Sequence, residues 1–259
     1  MATLYLNEEL HPDAFAVGAR VPVRGADARH AAQVARVRTG ERIGIGDGRG
    51  RIAWGPVVHV ANDQVAIQVE SVQREAAVGP SIRLVQALAK GDRDELAIQA
   101  ATELGVAGIV PWQAARSVVR WEGPKLGKGL ERWRTIVREA AKQAIRPTVP
   151  EVAEPVTTKR LAAMLGAGAA TADGTRSRIV LVLEPTAGSP LSEVVAGEAF
   201  RSASEVLLVV GPEGGIAPEE LTALEIDGAV VVRLGTEVLR TSTAGPAAIA
   251  ALWALLGQW

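Results

Sequence analysis

A chain of 259 residues, 48% of them hydrophobic, can bury a substantial core, and its length allows one large domain or two of ordinary size. It has no cysteine, and His11, His30 and His59 are scattered, which excludes disulfides and thiolate catalysis and leaves no ligand set for a metal, so none is expected. Net charge is −1 but unevenly placed: residues 20–51 hold eight Arg against Asp27, Glu41 and Asp47, and residues 116–146 hold nine Lys or Arg against Glu122, Glu131 and Glu139. Two basic segments under a neutral average suit a nucleic-acid binder, and two solvated faces without a partner are the competing reading. The opening "MATLYLNEEL" has no basic leader, and no run approaches the roughly 18 apolar residues of a membrane helix, so a soluble, cytoplasmic protein with no membrane partner is expected.

From Leu4 to about Val72 short β-type runs alternate with turn signals, and Asp47-Gly48 in "RIGIGDGRGRIAWGPVVHV" marks a tight hairpin. A β-rich module is expected over residues 1–74. "QREAAVGPS" suits a boundary linker, and the second domain is expected over 75–259. There "SIRLVQAL" reads as a strand, "DRDELAIQAATELG" as a helix closed by Gly105, and "VAGIVPW" as a further strand. "ERWRTIVREAAKQAIR" predicts a helix stopped by Pro147, with Trp133, Ile136, Val137, Ala140 and Ala144 on one face. Its other face, Arg132, Glu139, Gln143 and Arg146, is expected to point outward. "LAAMLGAGAATADGT" ends in a Gly/Ala-rich tract expected as a mobile loop. "RIVLVL", "EVLLVV" and "AVVVRL" are continuous apolar runs of the kind found in a parallel sheet covered on both faces. The last helix, "PAAIAALWALL", is apolar all round, so burial in the core or against a second subunit is expected.

A strand, a glycine loop and a helix start present bare amides to a ligand, and "VVGPEGGIAPEELTAL" follows that plan after Val210. The dinucleotide fingerprint G-x-G-x-x-G and the loop G-x-x-x-x-G-K-[ST] are both missing, and Glu213 inside the loop would repel a phosphate. The loop suits hydroxyls, a base edge or positive charge. A nucleoside with a sulfonium, S-adenosylmethionine, meets that description; a tight βα turn with no ligand is the other reading. "RLGTEVLRTSTAGPAAIAAL" repeats the plan, with Thr241, Ser242 and Thr243 where N-caps belong. Two such loops from neighbouring strands would form one pocket at the carboxyl edge of the sheet.

"GPEGG" before a helix, then "LG-x-x-V-L-R-T-x-T-A", resembles the signature of the ribosomal RNA small subunit methyltransferase E family. "LAKGDRDELAIQAATELGV", "ARSVVR", "RWRTIVREAAKQAIRPTVP" and "RHAAQVARVRTGE...DGRG" fall in family order, so the resemblance covers nearly the whole chain. It implies an N-terminal PUA-like β-barrel followed by a knotted SPOUT α/β methyltransferase domain with a mainly parallel sheet. The trefoil knot comes from the resemblance alone, since general connection rules make knots essentially absent. The implied activity is transfer of a methyl group from S-adenosylmethionine to N3 of a uridine in 16S ribosomal RNA, by a homodimer whose pocket lies near the two-fold interface. Three positions depart from the pattern. Ala217 stands where a hydroxyl residue usually caps the helix together with the acid at Glu220, Ser242 where an acid is common, and Ala144 where a small polar residue is usual.

Within that resemblance, Gly211, Glu213, Gly214, Gly215, Leu234, Gly235, Val238 and Leu239 are expected to form the cofactor pocket, with Ser242 and Thr243 beside it and Leu183 and Glu184 adding a wall. Glu213 would hold ribose hydroxyls or orient the loop. Without cysteine the covalent route to a pyrimidine carbon is closed, which favours attack by nitrogen or oxygen. Arg240 would stabilise the developing uracil anion or clamp a phosphate. Glu139 would take the imide proton or pair with Arg138 and Lys142 along the helix. Phosphate contacts are expected from Arg116, Arg120, Arg132 and Arg146, with Arg36 and Arg49 as a second anchor, in a complex with 16S rRNA or the small ribosomal subunit. Trp121 and Trp133 are candidates for stacking on bases, Trp133 equally for the core. The alternatives from other classes are a non-catalytic rRNA-binding or assembly protein and, further off, a dinucleotide-dependent oxidoreductase.

Overall fold

The computed structural model describes residues 3–76, 79–166 and 177–259. The Gly/Ala-rich end of the tract expected as a loop, residues 167–175, lies outside the described residues. The chain divides into two compact units, Met1–Ala77 with Arg138–Val149, and Val78–Val137 with Pro150–Trp259. Reading the boundary as one cut near residue 74 therefore differs from the structure, in which a distant segment counts with the first unit. Among the described residues no helix is long and apolar enough to cross a membrane.

The first unit contains β1 (Leu4–Leu6), β2 (Arg20–Arg24), α1 (Gly25–Arg29), β3 (Arg42–Gly46), β4 (Arg51–Val60), β5 (Gln64–Gln68) and β6 (Ser71–Arg74). The strands pair in the order β1-β3-β4-β5-β2, with β6 on β4, and among the described residues no ladder joins β2 back to β1. Alternation buries Tyr5, Val21, Val23, Ile43, Ile45, Val65 and Ile67 in a common core. The β3–β4 hairpin forms where Asp47 predicted it. Its fully buried carboxylate accepts from the Arg49 amide at 2.8 Å and the Arg51 amide at 3.0 Å, satisfying donors that the turn leaves unpaired.

Residues 138–149 enter this unit through charge. Asp27, at the start of α1 and 5% exposed, accepts from Lys142 Nζ at 2.9 Å, from Arg138 Nη2 at 3.1 Å and from the Leu6 amide at 2.8 Å. Burial alone raises an aspartate, but the hydrogen bonds from Arg138, Leu6 and Lys142 outweigh it and hold the Asp27 carboxyl below its ordinary value.

The second unit is built on β7 (Ser81–Ala87), β8 (Gly108–Gln113), β9 (Glu151–Val152), β10 (Val156–Thr157), β11 (Ser177–Leu183), β12 (Ser189–Pro190), β13 (Ala203–Val210) and β14 (Val230–Arg233). Their order is β10-β8-β7-β13-β11-β14-β12, with β9 on β8, and every pairing is parallel. Strands of this kind need cover on both faces, and Val85, Val110, Val180, Val182, Leu207 and Val209 are accordingly buried. The helices are α2 (Arg93–Glu103), α3 (Pro124–Gln143), whose residues from Arg138 on count with the first unit, α4 (Thr158–Gly166), α5 (Leu191–Val195), α6 (Glu198–Arg201), α7 (Pro218–Ile226) and α8 (Thr241–Leu255).

Helix α3 begins earlier than the apolar face suggested and ends at Gln143, ahead of Pro147. Ile145 turns to φ +55°, the Ile145 amide bonds Lys142 O at 3.1 Å and the Arg146 amide bonds Ala141 O at 2.9 Å, a left-handed cap that satisfies orphan carbonyls. Trp133 is core, as its face required. Trp121, a candidate for base stacking, is corrected to core as well: it is 8% exposed and meets the Trp133 ring edge-to-face at 5.0 Å.

Candidate functional site

The carboxyl ends of β13, β11 and β14 open into one cavity of about 330 Å³. Pairings of β11 with both β13 and β14 place it between them, which corrects the expectation that the two glycine loops leave neighbouring strands. The end of β11 consequently supplies Leu183 and Glu184 to the lining, between Gly211, Glu213 and Gly215 from one loop and Leu234, Gly235, Val238 and Leu239 from the other. Arg240 also lines it. Gly214, Ser242 and Thr243, expected there, do not. Arg93, Pro185, Val210, Pro212, Ile216, Glu237, Thr241 and Ala244 do, and were not expected. Arg93 is the first residue of α2, which follows β7, a third strand whose loop has a single glycine, Gly91, in place of a glycine cluster.

The GPEGG loop is held from several sides. The Gly215 amide bonds Pro212 O at 2.9 Å, with Gly215 at φ +71°. Glu213 Oε1 accepts from the Lys90 amide at 2.9 Å and from Arg93 Nη1 at 3.2 Å, and its side chain is 25% exposed. Glu213 thus ties the loop after β13 to the loop after β7, which agrees with an orienting role. Arg116 Nη1 donates to Gly214 O at 3.1 Å, bracing the loop from the β8 side. A side chain at Gly211 would sit 2.7 Å from Ile216 Cγ1, so the residue must stay small for the loop to close on α7.

At the start of α7, Ala217 has no acceptor to offer, and the hydroxyl half of the capping box is missing. The other half remains: Glu220 Oε2 accepts from the Ala217 amide at 3.3 Å, while its Oε1 accepts from the Ala115 amide at 2.8 Å and from the Thr158 hydroxyl. Pro218 occupies N1, where its absent N–H costs nothing.

For α8 the expected hydroxyl caps are corrected. The N-cap is Arg240, whose carbonyl accepts from the amides of Thr243 at 2.8 Å and Ala244 at 2.9 Å. Thr241, already inside the helix, spends its hydroxyl on Gly211 O at 2.8 Å. The Arg240 guanidinium has no ion pair among the described residues, leaving it available to a ligand.

Glu139, expected as a possible proton acceptor, lies instead in the first unit's ion cluster, 3.0 Å from Lys142 Nζ and 3.3 Å from Arg138 Nη1. The expected phosphate contacts divide in the same way. Arg36 is exposed, as are Arg116 and Arg120, whose side chains also brace Gly214 O and Ala115 O. Arg132 is 63% exposed and pairs through two nitrogens with Glu95. Arg49 spends its guanidinium on Glu8 O at 2.6 Å and Leu10 O at 2.8 Å. Arg146 is corrected outright: its side chain is 12% exposed, lies 3.9 Å from Glu75, and burial lowers its pKa against the attraction of that carboxylate.

Comparison with known proteins gives the same picture. Residues 77–253 match the model of an RNA methyltransferase domain and residues 23–70 that of an RNA methyltransferase PUA domain. Ribosomal RNA small subunit methyltransferase E of Mycobacterium bovis is 42% identical over 93% of this chain and 89% of its own. The Bacillus subtilis protein of the same name is 31% identical over 89% of this chain and 88% of its own. Among solved structures, ribosomal RNA small subunit methyltransferase E from Neisseria gonorrhoeae bound to S-adenosyl methionine superposes with a TM-score of 0.81 at 26% identity, covering 98% of each chain. The chain belongs to the ribosomal RNA small subunit methyltransferase E family.

Proposed function

We propose that this protein transfers a methyl group from S-adenosylmethionine to N3 of a uridine in the 16S rRNA of the small ribosomal subunit. The observation that carries this reading is the single cavity formed by the ends of β13, β11 and β14, in a chain whose Neisseria gonorrhoeae relative was solved with that donor bound. The residues fit the donor. Leu183, Val210, Ile216, Leu234, Val238 and Leu239 offer apolar walls to a base, and the carboxylates of Glu184, Glu213 and Glu237 suit hydroxyls and positive charge.

When bound, S-adenosylmethionine supplies an electrophilic methyl group on a positively charged sulfur. The chain's own task is to position the uracil and stabilise the charge left as its N3 proton departs. Arg240 answers the second need. Its guanidinium stays charged, offers paired donors, and stands on a backbone fixed by two hydrogen bonds at the start of α8. Arg36, Arg116, Arg120 and Arg132 contact backbone phosphates, while Arg49 and Arg146 keep the internal roles described above. The reading also includes a cytoplasmic homodimer, with Leu255 at the end of α8, 49% exposed, in the shared face, and a trefoil knot in the second domain.

Incubating unmodified small ribosomal subunits with the protein and labelled S-adenosylmethionine, then locating the label by mass spectrometry, should find it on N3 of one uridine. No incorporation, or label on a ribose oxygen, would overturn the assignment. Glu213→Ala releases the loop from Lys90 and Arg93 and should weaken donor binding about tenfold, with RNA affinity nearly unchanged. Unchanged donor affinity would reduce Glu213 to an ordinary turn residue.

A further inference from the structure

We propose that Gln86 is a positioning residue for the donor pocket, holding both of its glycine loops in one geometry through the Thr241 hydroxyl. The proposal rests on reading the cavity as the S-adenosylmethionine site. Gln86 lies near the end of β7, fully buried, and pairs in register with Val210, the residue before the GPEGG loop. It does not line the cavity. Its Nε2 donates to Thr241 Oγ1 at 2.9 Å and to Ala87 O at 3.1 Å, and Thr241 Oγ1 donates to Gly211 O at 2.8 Å.

Proton counting fixes the direction of this relay. A threonine hydroxyl has one hydrogen, and Gly211 O, which has none, must receive it. Thr241 can then only accept from Gln86, so the amide nitrogen faces it, an assignment that Ala87 O independently requires. One hydroxyl therefore joins the first residue of α8, the helix after β14, to the first residue of the loop after β13, although β11 lies between those two strands. Both joined residues line the cavity.

Gln86 Oε1 is buried with no hydrogen-bond partner among the described residues. An unmatched acceptor of this kind disfavours the fold relative to an apolar side chain of similar shape. Methionine at position 86 would remove that orphan but also the two donations to Ala87 O and Thr241, so its effects on folding oppose each other and the net change in stability is small. What methionine cannot do is donate to Thr241, so the benefit of glutamine lies in the pocket.

The test is calorimetric titration of S-adenosylmethionine into the full chain, alongside thermal unfolding, for wild type, Gln86→Met, Thr241→Val, the double variant and Thr241→Ser. Gln86→Met and Thr241→Val should each weaken binding about tenfold, the worth of one internal hydrogen bond, with the unfolding temperature of Gln86→Met changed little. The double variant should bind no more weakly than Thr241→Val, because both changes break one relay, and Thr241→Ser should bind like wild type. Losses that multiply in the double variant would overturn the proposal. So would a loss of binding by Gln86→Met that comes with a matching loss of thermal stability. Wild-type binding that Gln86→Met leaves unchanged overturns this proposal alone, whereas a wild-type chain that takes up no S-adenosylmethionine overturns the pocket reading and the proposal together.

Discussion

Replacing Asp27 by alanine removes the centre of the first unit's ion cluster. The Leu6 amide, 2.8 Å from Asp27 Oδ2, is left buried and unpaired, at a cost of about 1–3 kcal/mol. Lys142, with a side chain 8% exposed, keeps among the described residues Glu139, which is 55% exposed and so screened by water; Arg138 keeps Glu8 and Glu139. Stranding a buried charge in this way costs roughly 3–5 kcal/mol in total, the unpaired amide included. Urea unfolding at pH 7, followed by far-UV circular dichroism, should show a loss of that size. Because the folded-state pKa of Asp27 is depressed, its contribution is present above the unfolded value of about 3.9 and disappears as pH falls through the folded value. The gap between wild type and Asp27→Ala should therefore narrow below about pH 4. A loss under about 1 kcal/mol at pH 7, or a gap that widens on acidification, would refute the reasoning.

Asp94 shows the opposite sign. Burial raises its pKa to about 6 against the amides of Ala89 and Glu95, so the stability linked to its proton is present below its unfolded value and lost as pH rises through 6. Asp94→Asn should flatten the pH dependence of unfolding between about pH 4 and 7 and recover part of a penalty of about 3 kcal/mol at neutral pH, since its single oxygen can accept from only one of the two amides; an unchanged pH slope would count against the assignment. Gly129→Ala should destabilise despite the roughly 1 kcal/mol gained in helix propensity, because the new Cβ would lie 2.4–2.7 Å from the Trp121 indole, itself wedged on Trp133. A net loss of about 1–2 kcal/mol, with an altered near-UV tryptophan signal, is the expected result, and a stabilised variant would contradict it.

Much of the fold was legible because local patterns have local causes. Continuous apolar runs marked β11, β13 and β14, the face of Trp133 and Val137 marked α3, and Gly105, with φ +94°, marked the end of α2. The two glycine loops read as ligand loops because glycine, a missing phosphate fingerprint and Glu213 are all visible in a few consecutive residues. Gln86 was the missed signal, a polar residue interrupting the apolar run of β7 at a position that the tertiary structure buries completely.

The sequence by itself determined the elements, the chemistry available to the loops and the family. Only the tertiary structure decided which groups meet. Arg49 and Arg146 look alike as basic residues in basic segments, yet one holds carbonyls near β1 and the other is buried beside Glu75. Thr241 looks like a helix cap, yet its hydroxyl joins Gln86 to Gly211 across separations of 155 and 30 residues. Propensity and periodicity act over a turn or a strand, whereas a hydrogen bond or ion pair needs two atoms within about 3 Å, and only the packed sheet and its crossovers bring such distant residues that close.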